Sequence, residues 1–206
     1  MPGRTPVKSF GEDTSELGST VPNPAASSLR LFIAVELSDA ARNAISGVID
    51  RVVESGVKNL RPVRAETMHL TLKFLGDVPS GRIEDLVEAI RAVALTDTSF
   101  ALTLSGAGVF PSPARTRVLW LGIGGDTTAL GELHLGIEDA VASLGFARDR
   151  KPFSPHLTVA RLRDRASRAD RSFAAEALAS VPHPDGVEIT VRSVSVMRSI
   201  LDRRGA

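Results

Sequence analysis

Two segments of the sequence place a histidine two residues before a threonine in apolar surroundings. They are Met68-His69-Leu70-Thr71-Leu72 and Pro155-His156-Leu157-Thr158-Val159. If each segment is a strand, the histidine and threonine share one face while the apolar residues between them face a core. A neutral imidazole can accept a proton, a protonated one can donate one, and threonine hydroxyls can donate hydrogen bonds to phosphate oxygens. Two such pairs facing each other across a cleft would suit an in-line displacement at phosphorus.

Zinc binding is the competing use of two histidines. Neither motif contains Asp, Glu or Cys, and the chain has no cysteine at all, so a third ligand is missing. The other two histidines lie in unrelated contexts: His134 in a predicted helix, where we expect it to face solvent, and His183 between two prolines. A half-buried structural histidine is the plain alternative for either motif alone, and the repetition argues against it. We predict no metal and no cofactor.

Composition indicates one folded domain that follows a polar N-terminal tail. The chain has 206 residues with a net charge of +1, which argues against a long footprint on duplex nucleic acid. No apolar run is long enough to span a bilayer. Residues 1–28 are rich in Pro, Gly, Ser and Thr and lack the apolar stretch of a secretory signal. We predict a disordered tail at 1–28, a single domain at 29–206 and a cytoplasmic location.

The motifs fall within an alternating series of strands and helices. Hydrophobic periodicity and turn residues predict strands at 29–35, 68–74, 100–105, 117–123, 157–162 and 187–196. Helices are predicted at 40–54, 80–95, 127–144 and 170–180, with Ser38-Asp39 and Asp126-Thr127 as capping signals. His156 lies 87 residues after His69, so each motif strand can come from a different lobe of a mixed α/β fold.

Five segments of the sequence form an ordered set: 30–34 (RLFIA), 68–76 (MHLTLKFLG), 110–113 (FPSP), 118–122 (VLWLG) and 155–161 (PHLTVAR). Together and in this order they resemble the 2H phosphoesterase superfamily, and most of all its RNA 2′,3′-cyclic phosphodiesterase branch, historically called 2′-5′ RNA ligase. The resemblance covers about residues 29–199. It implies an α/β (α+β), bilobal, pseudo-twofold fold in which two antiparallel sheets form a central cleft, with helices outside and one motif per lobe.

The resemblance also implies roles for the motif residues. His69 would be the proton donor and His156 the proton acceptor in metal-independent hydrolysis of RNA 2′,3′-cyclic phosphate ends to 2′-phosphomonoesters. The same site could run in reverse as a 2′-5′ ligation. Thr71 and Thr158 would bind the phosphate.

Four further residues are possible substrate contacts. Lys73 shares strand parity with His69 and could reach a phosphate, or it could be a solvated lysine at a strand end. Arg161 matches the family pattern, but strict alternation puts it on the face opposite His156, so only a twist or bulge would bring it into the cleft. Arg30 and Phe32 share a face of the first strand and could contact a nucleotide, with Phe32 as plain core the alternative.

Other substrates and another class of function stay open at this point. The same site could serve small cyclic nucleotides or 2′-5′ linked oligonucleotides, or it could bind an RNA end without turning it over. Basic residues around the second motif could steer RNA or could be ordinary solvated surface; they are Arg148, Arg150, Lys151, Arg161, Arg163, Arg165, Arg168 and Arg171. We expect RNA or nucleotide ends as partners, no membrane, no obligate protein partner and a monomer.

Overall fold

The structure, a computed structural model, describes residues 27–94 and 99–199. Residues 1–26 of the predicted tail, and Leu95 at the end of the predicted second helix, lie outside these ranges. The strands within the described ranges are β1 (Ser28–Glu36), β2 (Leu60–Pro62), β3 (His69–Pro79), β4 (Phe100–Phe110), β5 (Val118–Gly125), β6 (His156–Leu162), β7 (Glu188–Val191) and β8 (Ser195–Arg198). The α-helices are α1 (Asp39–Glu54), α2 (Ile83–Ala94), α3 (Thr127–Ser143) and α4 (Arg168–Ser180).

The strands form two antiparallel sheets. One has three strands in the order β3-β1-β8, and the other has five in the order β2-β6-β5-β4-β7. The predicted α+β fold with two antiparallel sheets is thereby confirmed. The predicted last strand at 187–196 is wrong as a single element: β7 pairs with β4 in one sheet and β8 pairs with β1 in the other, because the chain crosses between the sheets at 192–194.

Each sheet is covered by helices on the side away from the site. Helix α2 packs on α3, which contacts β3, while α1 contacts β6 and α4 contacts β4 and β5. The capping predictions are confirmed, since the Ser38 side chain accepts from the Ala41 amide at 3.2 Å and that of Asp126 from the Ala129 amide at 2.9 Å. No helix in the described ranges combines the length and apolarity needed to cross a membrane.

Alternating apolar side chains from both sheets meet in one continuous core. Leu70 and Leu72 of β3 and Leu157 and Val159 of β6 are almost fully buried, as the alternation of the motifs predicts. Their burial holds the motif strands by the face opposite the histidines. Strands β3 and β6 contact each other, so the two sheets meet along the strands that carry the motifs.

Each motif strand contains a β-bulge at the same distance from its histidine. In β3, Ile33 and Ala34 of β1 pair with Lys73 and Thr71, so Leu72 is the extra residue. In β6, Leu119 and Trp120 of β5 pair with Ala160 and Thr158, so Val159 is the extra residue. A bulge reverses the alternation of every residue after it. The fourth residue after each histidine therefore faces the core, and the fifth faces outward.

Candidate active site

The two motif histidines begin their strands and are held in the same way. Nδ1 of His69 lies 2.9 Å from the carbonyl oxygen of Thr67, and Nδ1 of His156 lies 2.7 Å from that of Ser154. A carbonyl oxygen only accepts hydrogen bonds, so each Nδ1 carries the proton. Each Nε2 then carries the unprotonated lone pair of a neutral ring, and no described residue bonds to either Nε2.

Aromatic side chains pack against both imidazoles. The Phe32 ring centroid lies 4.5 Å from that of His69. On the other sheet, Phe110 meets His156 edge-on at 5.1 Å and Trp120 meets it at 6.3 Å. With one ring nitrogen bonded to the backbone and the rings packed on aromatics, the imidazoles are preorganised for proton transfer.

The surroundings lower the pKa of His69 below its usual value of 6.5. Burial is the largest cause, the Thr67 carbonyl acts in the opposite direction, and the charge of Arg42 lowers the pKa further. His69 is therefore largely neutral in the free protein at neutral pH. An anion bound beside the ring would favour the imidazolium and raise the pKa again.

Both motif threonines lie on the same face as their histidines. Thr71 and Thr158 are half-buried, and neither hydroxyl has a hydrogen-bond partner among the described residues. Free hydroxyls beside two imidazoles can donate to the non-bridging oxygens of a phosphate. The structure therefore places the four predicted motif residues on two strands, β3 and β6, that contact each other.

Arg161 lies on the outward face of β6 because of the bulge at Val159. It is exposed, and it pairs across the sheet with Val118, on the same face as Trp120 and Thr158. The bulge that Arg161 needs in order to lie on the same face as Thr158 is therefore present.

Lys73 does not reach the cleft, and the prediction that it contacts a phosphate is wrong. Its side chain is 1% exposed, because the bulge at Leu72 turns it into the core. Its Nζ donates to the carbonyl oxygen of Ala147 at 2.9 Å and lies 2.6 Å from Glu138 Oε1 and 2.9 Å from Asp149 Oδ1. Strict alternation from His69 predicted that Lys73 would face outward, and the sequence contains no residue type that indicates a bulge at this position.

The buried cluster around Lys73 also resembles a cation site. His134, Glu138 and Asp149 offer ligand atoms within 4.8 Å of one another, the one such group of three among the described residues. The Lys73 ammonium supplies the positive charge there, which leaves no place for a metal beside it. His134 is 7% exposed and stacks on Phe153 at 4.0 Å, so the prediction that it faces solvent is wrong.

The first strand contributes differently from the prediction. Phe32 is 6% exposed and covered by His69, so it supports the imidazole and has no free face for a base. Arg30 is exposed two residues earlier on β1. The free ring is that of Phe74, which is 69% exposed and lies 6.1 Å from Phe32.

Three aromatic site residues were missed from the sequence: Phe74, Phe110 and Trp120. Phe74 follows the bulge, so alternation assigns it to the core. Trp120 could have been found, since Val118-Leu119-Trp120-Leu121 alternates and places the indole opposite the core face. The backbone of Gly108 lies directly under that indole, where a Cβ would be 2.3 Å from Trp120 Cζ2.

A sequence model of the 2'-5' RNA ligase superfamily matches residues 38–203. The chain belongs to this superfamily. A curated relative of Geobacillus stearothermophilus, named RNA 2',3'-cyclic phosphodiesterase, is 40% identical over 151 residues, which are 73% of this chain and 46% of that protein. A relative of the same name from Archaeoglobus fulgidus is 32% identical over 180 residues, 86% of this chain and 94% of that protein.

The fold of this superfamily member is also found in solved structures. The crystal structure of TT0787 of Thermus thermophilus superposes with a TM-score of 0.71 at 28% identity, covering 86% of this chain and 92% of that one. The chain spans about half the length of the Geobacillus relative and almost all of the archaeal one. The resemblance to 2H phosphoesterases is confirmed.

Proposed function

We propose that the chain hydrolyses RNA 2′,3′-cyclic phosphate ends to 2′-phosphomonoesters without a metal ion. The observation that carries this is the matched pair of imidazoles, each with Nδ1 bonded to a backbone carbonyl and Nε2 left for chemistry. The relatives named RNA 2',3'-cyclic phosphodiesterase supply the substrate class.

In the proposed reaction one P–O bond forms and one breaks. Nε2 of neutral His156 takes a proton from water as the water oxygen bonds to phosphorus. Nε2 of protonated His69 gives its proton to the departing 3′ oxygen, which leaves the phosphate on the 2′ oxygen. The bound phosphate anion would favour the protonated form of His69 that this step requires. If the 5′-hydroxyl of a second RNA strand attacks in place of water, the same two proton transfers give a 2′-5′ linkage.

The remaining site residues would hold the substrate. Thr71 and Thr158 donate to the non-bridging oxygens, where negative charge increases in the transition state. Arg161 pairs with the phosphate, and the exposed ring of Phe74 stacks on the terminal base. Arg30 is a further candidate for a nucleotide contact.

The test is hydrolysis of a cyclic-phosphate-ended oligonucleotide followed by phosphorus NMR. We expect a 2′-phosphate product, undiminished turnover in a chelator, and a loss of about 10²–10⁴-fold in kcat for each of His69→Ala and His156→Ala. His183→Ala is the matched control, because that imidazole bonds to the carbonyl of Leu178 outside the cleft.

Full activity in either motif variant would refute the assignment. Tight binding of the RNA end by the parent chain without any turnover would instead support an RNA-end binding module. The expectations of a monomer and of a cytoplasmic location stay predictions, and sedimentation of the purified chain tests the first.

A further inference from the structure

A basic groove lies beside the second motif. It consists of two adjoining cavities of about 570 and 460 Å³ that share Arg115 and Arg171 in their walls. The remaining walls are formed by Phe110, Pro111, Ala114, Arg117, Val118 and Arg168. The mechanism proposed above uses none of its arginines.

One end of the groove reaches the outward face of the sheet that carries the second motif. Along the β5–β6 ladder, Gly122 pairs with His156 and Val118 pairs with Arg161. Val118 lines the groove and lies four positions along the strand from Gly122, or about 13 Å at ~3.3 Å per residue. Phe110, which supports His156, lines the groove as well. A chain leaving the phosphate site past Arg161 would therefore enter the groove.

The charge of the groove is not balanced by carboxylates. Arg115, Arg117 and Arg168 are exposed, and none of them forms an ion pair with another described residue. Arg171 is fixed by neutral acceptors, since its guanidinium donates to the carbonyl oxygens of Thr116 at 2.7 Å and Asp164 at 3.1 Å. Its positive charge is therefore held in place but left uncompensated.

We propose that this groove binds the phosphodiester backbone of the nucleotides preceding the cyclic phosphate. The chain would then act on RNA oligonucleotides in preference to cyclic mononucleotides. Guanidinium groups recognise phosphates through paired hydrogen bonds, and contacts to phosphates carry no sequence preference. This inference rests on the proposed function and specifies that the substrate is longer than one nucleotide.

The experiment compares a cyclic mononucleotide with a hexanucleotide ending in the same cyclic nucleotide. The variant is Arg115→Gln/Arg117→Gln, which spares Arg171 because that side chain also holds backbone carbonyls. Arg51→Gln/Arg91→Gln, on the exposed faces of α1 and α2, is the control of equal charge.

In the parent chain we expect kcat/KM to be higher for the hexanucleotide. In the groove variant we expect a loss of about tenfold or more for the hexanucleotide, with mononucleotide turnover unchanged. Each lost phosphate contact reduces the slope of log K against log salt by about 0.7 for a single strand, so two lost contacts reduce it by about 1.4. The control should lose neither activity nor slope.

Equal kcat/KM for both substrates in the parent chain, or an unchanged salt slope in the groove variant, would overturn the groove and leave the proposed function intact. If no cyclic substrate is turned over, the proposed function fails, and anisotropy with a hexanucleotide carrying a 2′-phosphate still tests the groove. Equal loss of binding to the hexanucleotide and to polyglutamate would indicate a general anion surface and also overturn the proposal.

Discussion

Replacing Lys73 with methionine tests whether this lysine is a structural cation. The methionine fills a similar volume, but Glu138, whose side chain is 6% exposed, loses the ammonium 2.6 Å from its Oε1. Breaking a buried pair by removing one partner costs about 3–5 kcal/mol. The side chain of Asp149 is 48% exposed and regains water, so we expect the low end, about 3 kcal/mol.

The measurement is urea unfolding followed by circular dichroism and by the fluorescence of Trp120, the only tryptophan. We expect a lower midpoint with an unchanged m-value. Lys73→Met/Glu138→Gln should recover part of the loss, because the uncompensated buried charge is gone. A loss below about 1 kcal/mol in the single variant, or simple additivity in the double-mutant cycle, would refute the reasoning.

The same variant should acquire a pH dependence through His134, whose Nε2 lies 4.0 Å from Glu138 Oε1. In the parent chain the pKa of His134 is lowered, mainly by burial, and the Lys73 charge adds to this. Without Lys73 the folded-state pKa rises, so protonated His134 can balance Glu138. That stabilisation is present at low pH and is lost as pH rises through the folded-state pKa. The loss of unfolding free energy in Lys73→Met, relative to the parent chain, should therefore be smaller at pH 5 than at pH 8. A loss that does not depend on pH would contradict the idea that protonated His134 replaces the Lys73 charge beside Glu138.

Three other predictions concern the site and the helices. Because the pKa of His69 is lowered, the protonated form is lost early as pH rises. With increasing pH, kcat/KM should therefore start to decrease before pH 6.5 is reached, and a profile that stays flat up to pH 8 would exclude His69 as the acid. Gly108→Ala should displace Trp120, because the indole ring occupies the space of the new Cβ. Trp120 packs against His156, so we expect the imidazole to shift and kcat/KM to fall about tenfold or more. The control is Gly47→Ala, which has open space around its Cβ and should be fully active. Ser167→Ala removes a capping box that Ser167 and Asp170 form at the start of α4, and thermal denaturation should show a loss of about 1 kcal/mol.

Most of the helices and the shared face of each motif's histidine and threonine could be predicted from the sequence, because both depend on local periodicity. Apolar residues at helical spacing and capping side chains located α1 and α3, and period-two alternation placed His69 and Thr71 on one face. The unequal roles proposed for the two histidines rest on the family resemblance and not on any spacing.

The residues that were misplaced all depend on pairing between distant parts of the chain. Lys73 turned inward and Phe74 outward because β1 pairs with β3 through a bulge, and Phe32 lost its free face because His69 covers it. The predicted strand at 187–196 was divided because its two halves pair with strands of different sheets. None of these contacts leaves a local pattern in the sequence.

The matching bulges give a rule for comparing the two halves of the chain and for aligning related sequences. Counting from each histidine, the fourth residue belongs to the interior and the fifth to the reaction surface. The same backbone frame thus carries Lys73 and Phe74 in one half and Ala160 and Arg161 in the other. The two histidine-bearing halves therefore differ at this outward position in side-chain chemistry and not in backbone geometry, with an exposed aromatic ring in one half and an exposed guanidinium in the other.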